Sequence, residues 1–209
     1  MASKEVIPYL YTVTRGNSYS EKKLDSILLG NIEHLEIFKD IKNKYCDFSF
    51  NVFNSHSCKV LEEYGVKGVN LSFELNLDEI KAINTNLIKE VTVYGRLPLM
   101  ISEHCTIGSE MCGKNNCNAC LKARFYLEDR VNEKFPIITD RENCRMQILN
   151  SKVLYAIEVV NDLRGKFDYF RAYFLDESTE ERRAILRNIK EGRKVSLKEY
   201  TSGHFFRGV

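Results

Sequence analysis

Three neighbouring segments decide the fold: Val66-Lys-Gly-Val-Asn-Leu-Ser-Phe73, the stretch from Asn76 to Ile83, and Glu90-Val-Thr-Val-Tyr-Gly95. The outer two are rich in β-branched and aromatic residues, which suit a pleated, half-buried surface. Between them, Asn76 or Asp78 can open a helix, and Ile80 and Ile83 fall three apart on one helical face. Strand, helix and strand within thirty residues make a βαβ unit. Such a unit pairs its strands in parallel and crosses over with right-handed sense.

The same alternation extends in both directions. Upstream, Val6-Ile-Pro-Tyr-Leu-Tyr-Thr-Val13 reads as a strand ending at Arg15-Gly16, and Leu24-Asp-Ser-Ile-Leu-Leu29 as a second closed by Gly30. Asn31 is expected to cap a helix to about Lys42, carrying Ile32, Leu35, Ile37, Phe38 and Ile41. Asp47-Phe-Ser-Phe-Asn-Val-Phe53 reads as a third strand, and Ser55 as the cap of a helix bearing Val60 and Leu61 that stops at Gly65. Downstream, Arg124–Asp129 and Lys134–Thr139 flank a polar turn and predict a β-hairpin. Leu154 to Leu163 reads as a helix and Tyr169 to Leu175 as a strand. Ser178, with Glu181 three residues on, sets a capping box for a last helix to about Glu191.

Strands recurring about every 20–25 residues between helices predict an α/β fold with a parallel sheet. A partial (β/α) TIM-like barrel fits better than a doubly wound sheet. Polar residues Arg15, Asn51, Asn54, Glu74, Arg96 and Glu103 stand at strand ends, where barrels build their sites. About six parallel strands are found, whereas a closed barrel has eight and typically about 250 residues. The chain is therefore expected to be a fragment, to be completed by a partner, or to keep an open sheet. We read residues 1–209 as one domain: barrel units over 1–104, a cysteine-rich loop and hairpin over 105–151, and a final βα unit with its tail over 152–209.

Five of the seven cysteines lie in the pattern Cys105-x6-Cys112-x4-Cys117-x2-Cys120-x23-Cys144. Cys117 and Cys120 share one tight loop, made turn-prone by Gly108, Gly113, Asn115, Asn116 and Asn118. Soft thiolates in such a loop select zinc, copper(I) or an iron–sulfur cluster, and the spacing does not choose between zinc and iron–sulfur. Four ligands are wanted and five are offered, so one is surplus. Met1-Ala2-Ser3-Lys4-Glu5 has no apolar signal core, so a cytoplasmic location with reduced thiols is expected. Cys46 and Cys58 read as small core hydrophobes.

A net charge of +2 carries no global signature of nucleic-acid binding. No apolar run reaches the ~18 residues of a membrane span, so no membrane partner is expected. The four histidines (His34, His56, His104, His204) form no His-Glu-x-x-His zinc helix and sit in no recognisable nucleophile motif.

The stretch Glu90-x4-Gly95, Pro98, Ser102 and Cys105, leading into a cysteine-rich loop, resembles the signature of the collagenase-like peptidases, family U-32. Tyr94-Gly-Arg-Leu-Pro-Leu-Met100, Asp129-Arg130, Phe135-Pro136, Asp140, Cys144-Arg145 and Ile148-Leu-Asn-Ser151 extend the resemblance. So do Tyr9-Leu10, Thr14-Arg15-Gly16, Gly30-Asn31, Asn51-Val-Phe-Asn54, Ser72-x-Glu74-Leu75 and the closing Gly203-His204-Phe205 with Arg207-Gly208-Val209. The resemblance implies an incomplete or modified barrel followed by a cluster loop, with the family's opening β-α-β-α portion missing. It also implies a [4Fe-4S] cluster on Cys105, Cys117, Cys120 and Cys144, with Cys112 the alternate. Pro98 stands where the family's first signature cysteine belongs, which removes one ligand.

Several members of that family are thought to assist oxygen-independent hydroxylation of RNA or a quinone precursor, although the family was named for proteolysis. An RNA or small-molecule substrate is thus implied. So are the alternatives of a collagenase-like protease and of a non-catalytic, metal-stapled module binding a partner chain. Glu74, Glu103 and His104 are the candidate acid–base groups, and Arg96 the candidate clamp for an anionic substrate. Arg145 is placed to offset cluster charge, and Asn51, Asn54 and Asn150 to line the cavity or to cap helices. Arg187, Lys190, Arg193, Lys194, Lys198 and Arg207, with Tyr200, Phe205 and Phe206, form a basic, aromatic tail of the kind RNA surfaces use.

Overall fold

The computed structural model describes residues 7–10, 12, 24–112, 117–140, 144–193 and 200–207. Its spine is a run of parallel strands: β1 (Ser26–Leu29), β2 (Asn43–Cys46), β3 (Val66–Asn70) and β4 (Ile88–Gly95). Helices α1 (Glu33–Ile37), α2 (Ser55–Glu63) and α3 (Leu77–Ala82) connect them. Each strand pairs in parallel with its predecessor, so neighbour order equals chain order. Ahead of β1, Leu10 N–H donates to Leu28 O at 2.9 Å and Leu28 N–H to Pro8 O at 2.9 Å, and Tyr9 forms a parallel bridge with Leu28. That bridge is what the described residues show of the expected strand 6–13. Beyond β4, β10 (Tyr169–Ala172) adds a further parallel strand.

The sheet is not a closed barrel. Its path runs β1-β2-β3-β4, with β10 beside β4, and then takes on β9 (Val153–Tyr155) and β11 (Tyr200–Thr201). β9 meets the end of β4 antiparallel, Tyr94 opposite Tyr155, and β11 is parallel to β9. The sheet nevertheless curls, because Ile7 at one end and Tyr169 and Arg171 at the other line a single hollow of about 360 Å³.

Between β4 and β9 the chain builds a second, antiparallel sheet in the order β5-β8-β7-β6. Its strands are β5 (Pro98–Ser102), β6 (Phe125–Glu128), β7 (Lys134–Asp140) and β8 (Arg145–Leu149). β6 and β7 form the predicted hairpin, with Phe125 opposite Ile137 and Glu128 opposite Lys134. Asp129 Oδ1 closes its turn, accepting from Val131 N–H at 2.9 Å and Glu133 N–H at 3.0 Å. Two short helices, α4 (Thr106–Met111) and α5 (Ala119–Lys122), lie between β5 and β6.

Several expectations change. Asp47–Phe53 is not a strand: β2 ends at Cys46, Phe48–Phe50 is a 3-10 turn, and Asn51 adopts φ 46°. Its alternating aromatics serve packing instead, Phe48 meeting Phe73 with ring centroids 5.0 Å apart. The helix expected over 154–163 is split into β9 and α6 (Glu158–Leu163). Leu154, Ala156, Ile157, Val159, Val160 and Leu163 are all essentially buried, and the unbroken apolar stretch 153–157 at the start of this segment is too short to carry a period that separates strand from helix. Finally, α1 is shorter than expected, and Ile32 is left exposed.

The N-cap of α1 is Ile32 rather than Asn31, and the strands expected over 66–73 and 169–175 stop at Asn70 and Ala172. Other expectations hold. Asn76 caps α3 with a full capping box, and Ser178 with Glu181 does the same for α7 (Thr179–Glu191). α2 is capped by Asn54, one residue earlier than expected. The core gathers Ile27, Leu29, Val69, Val91 and Val93 from the strands, Leu71 from just beyond β3, and Leu61, Ile80 and Leu163 from the helices. Cys46 and Cys58 belong to it, and burial pushes both thiols above their ordinary range. The C-terminal segment docks on the fold: Phe205 is buried, and its carbonyl accepts from Leu77 N–H at 3.0 Å. No helix among the described residues is long and apolar enough to cross a membrane.

Candidate functional site

β4 ends at Gly95 and hands the chain through Arg96 and Leu97 into β5, which delivers Cys105 to the start of α4. The Cys105 thiol caps that helix, its Sγ accepting from Gly108 N–H at 3.4 Å. Cys120 lies on α5. Cys144, at φ 53°, turns the chain into β8. Together with Cys117, these three line a cavity of about 240 Å³ whose walls include Ile107, Gly108, Leu121 and Thr139. The four best ligands inferred from resemblance thus share one hollow. Arg145, next to Cys144, is buried.

Cys112 is not part of that lining. It follows α4 and is joined to Cys117 as a disulfide, with Cα atoms 5.2 Å apart. The expectation of fully reduced thiols therefore does not describe this pair, whereas Cys105, Cys120 and Cys144 are free. No group of three or more His, Cys, Asp or Glu side chains among the described residues is gathered closely enough to hold a metal ion, and this holds for the unbridged Cys105, Cys120 and Cys144 as well.

The other candidates are dispersed. Arg96 Nη1 donates to Asn150 O at 2.9 Å and to Ser151 O, so this guanidinium pins the turn between β8 and β9. His104 and Glu103 are exposed. His104 Nε2 lies 2.6 Å from Ser109 Oγ, and its backbone N–H donates to Ser102 Oγ. Glu74 is exposed beyond β3 and lines none of the cavities described here. Asn54 and Asn150 serve the backbone, Asn54 Oδ1 accepting from Ser57 N–H at 2.8 Å and Asn150 Oδ1 from Lys152 N–H at 3.3 Å. Arg15, Lys194 and Lys198 lie outside the described residues.

Lining other hollows than the thiol cavity is a polar network that the sequence did not disclose. Arg171 on β10 bonds Asp47 through Nη1 and Glu90 through Nη2. Nη1 also donates to Tyr173 OH at 2.7 Å, and that hydroxyl donates to Asp47 Oδ1 at 3.0 Å. Asn70 Nδ2 donates to Glu90 Oε2 at 3.3 Å and to Thr92 Oγ1 at 3.3 Å. Burial disfavours the Arg171 charge. Glu90, with Tyr173 and Asp47, more than offsets this and holds the guanidinium above its ordinary range. Burial, with the Asp47 carboxylate beside it, pushes the Tyr173 phenol up, so it stays a donor. The available signal was Asp47, Glu90 and Arg171 standing inside otherwise apolar stretches.

A further cavity of about 130 Å³ lies where strand ends meet the second sheet, lined by Asp47, Phe48, Arg96, Gln147 and Tyr173. Another of about 250 Å³ shares Ile107, Cys120 and Thr139 with the thiol cavity, and Ile138 and Leu175 with the smaller one. The thiols therefore adjoin a string of hollows leading to the strand ends.

A family model described as peptidase family U32 matches residues 24–171, well over half of the sequence. The chain belongs to peptidase family U32. The matched span opens just before β1 and closes within β10, so it takes in the curled parallel sheet and all of the cysteine-rich insertion of this U32 protein. No curated protein and no solved structure matches the chain.

Proposed function

We propose that this U32 protein carries a soft metal centre, a [4Fe-4S] cluster, on Cys105, Cys117, Cys120 and Cys144, and is an enzyme or enzyme subunit of oxygen-independent hydroxylation of RNA or a quinone precursor. The observation that carries the first half is the shared lining of one cavity by those four cysteines. An all-sulfur donor set suits iron–sulfur or zinc and is a poor match for hard cations. When bound, a cluster supplies one-electron chemistry. The chain's own part is to hold four thiolates in one cavity, to offset their charge with buried Arg145, and to back the site with buried Ile107. The hydroxylation half is supported by family resemblance alone.

Anaerobic reconstitution with iron and sulfide tests the centre. The expected result is a visible thiolate-to-iron band with matching iron and acid-labile sulfide, lost in Cys120→Ser and Cys144→Ser. A colourless protein holding one zinc would replace the cluster with a structural zinc site. The collagenase-like alternative has one contact in its favour, His104 Nε2 on Ser109 Oγ. A hydrolytic histidine is normally oriented by a third group, and among the described residues no carboxylate hydrogen-bonds its other nitrogen.

The curl of the sheet favours an incomplete barrel whose remaining strands come from a partner or from further chain. Ile7 and Tyr169, from opposite ends of the parallel run, already face one hollow. On this reading the isolated chain self-associates or captures a partner in sizing and pull-down experiments. A stable monomer with intact secondary structure and no partner would refute it.

A further inference from the structure

We propose that the Cys112–Cys117 bridge is a redox gate on the thiol cavity, an inference that rests on the four-thiolate reading above. The sequence supplies five cysteines where a tetrahedral metal or a cubane cluster takes four. The structure gives the fifth a task. Cys117 belongs to the cavity with Cys105, Cys120 and Cys144, while Cys112 stands outside it and holds the Cys117 sulfur. With the bridge closed, three free thiols face the cavity, one of them serving as the cap of α4. Among the described residues they are not yet gathered into a metal-holding group, so a metal must draw Cys105, Cys120 and Cys144 together as well as recruit Cys117. Opening the bridge releases a fourth sulfur already at the cavity wall.

The geometry suits reversible chemistry. Cys112 is fixed at the end of α4, its N–H donating to Gly108 O at 3.3 Å, so it is a positioned resolving thiol. Cys117 lies only five residues on, which keeps the two sulfurs within reach after the bond is cut. Both are partly exposed, so a dithiol reductant can reach them. Its thiolate attacks one sulfur of the bridge and expels the other as thiolate, giving a mixed disulfide. The reductant's second thiol then resolves that intermediate. Two electrons and two protons arrive on Cys112 and Cys117, and the reductant leaves as its own disulfide. The coupling is reciprocal: a metal that engages Cys117 withdraws it from Cys112 and keeps the bridge open.

Zn²⁺ serves as the probe, titrated anaerobically into metal-free full chain against a chromophoric chelator, with and without prior treatment by a dithiol that is then removed. The oxidised chain, denatured without reductant, is expected to show five reactive thiols of its seven cysteines. Wild type should bind one Zn²⁺ at least about tenfold more tightly after reduction. Cys112→Ser should bind like the reduced chain whether or not it has been treated, and Cys105→Ser should bind weakly in both states. Equal binding by oxidised and reduced wild type overturns the gate and leaves the four-thiolate site standing. Failure of the reduced chain to bind at all overturns the site itself. Loss of binding in reduced Cys112→Ser makes Cys112 a ligand and also overturns the gate.

Discussion

Replacing Arg171 with methionine is expected to cost about 3–5 kcal/mol of folding stability, because it strands two carboxylates away from water. Asp47 is nearly inaccessible, with side-chain exposure of 3%, and Glu90 is largely enclosed. Arg171 is the cation both of them meet, and it ties β10 to the end of β2 and to β4. Burying a charge without its partner is among the few single changes that destabilise by several kcal/mol. Urea denaturation checks the size of the loss. Lysine should rescue little, since a compact ammonium cannot present two separately aimed donors to Asp47 and Glu90. Adding Asp47→Asn and Glu90→Gln to the methionine variant should recover most of the stability by removing the stranded charges. An Arg171→Met protein that unfolds at the wild-type midpoint would mean that the network does not exist.

That network also marks the limit of what the sequence disclosed. The strands β1, β3 and β4, the hairpin, the helix start at Asn76 and the box at Ser178 rest on local chemistry that is visible in any short window, whereas β2 was expected a few residues too late, at 47–53. The rest of the second sheet, β5 and β8, was invisible because its pairing is set by distant partners. β5 meets β8 with Pro98 opposite Leu149, some fifty residues away. β9 was hidden inside the apolar run 153–157, and what makes it a strand is its pairing with the distant β4, Tyr94 opposite Tyr155 and Gly95 opposite Leu154, and with β11.

The site divides in the same way. Cysteine spacing put Cys105, Cys117, Cys120 and Cys144 on the page as a group, since thiols this dense in a polar loop have few other uses. Spacing could not disclose which cysteine pairs with Cys112, because a covalent partner is a matter of three-dimensional approach. Arg96 was legible as a functional type at a strand end. Its occupation by two main-chain carbonyls depends on where residues 150 and 151 return. Charged residues in strands were read as strand ends or ignored, although a charge in a central strand needs a buried partner.

Gly95→Ala is expected to be the other severe change, costing about 2–6 kcal/mol from backbone strain and steric overlap together. Gly95 sits at φ 123°, a conformation that L side chains rarely adopt. An added methyl would lie 2.6 Å from Tyr173 Cβ, 3.0 Å from its Cα and closer still to its carbonyl oxygen. Tyr173 cannot easily retreat: its N–H donates to Tyr94 O at 2.9 Å, and its hydroxyl is held by Arg171 and Asp47. Relief therefore means parting β10 from the end of β4, at the point where the chain turns toward Cys105. Gly165→Ala provides the comparison, since Gly165 has φ 82° with nothing within 4 Å of the added atom, and strain alone should cost about 1–2 kcal/mol. Denaturation midpoints of the two variants separate strain from contact. Equal losses would show that Gly95 and Tyr173 are not in contact. A larger loss at Gly95 is expected to bring weaker Zn²⁺ binding by the reduced chain, because the hinge that aims β5 at the thiol cavity would have moved.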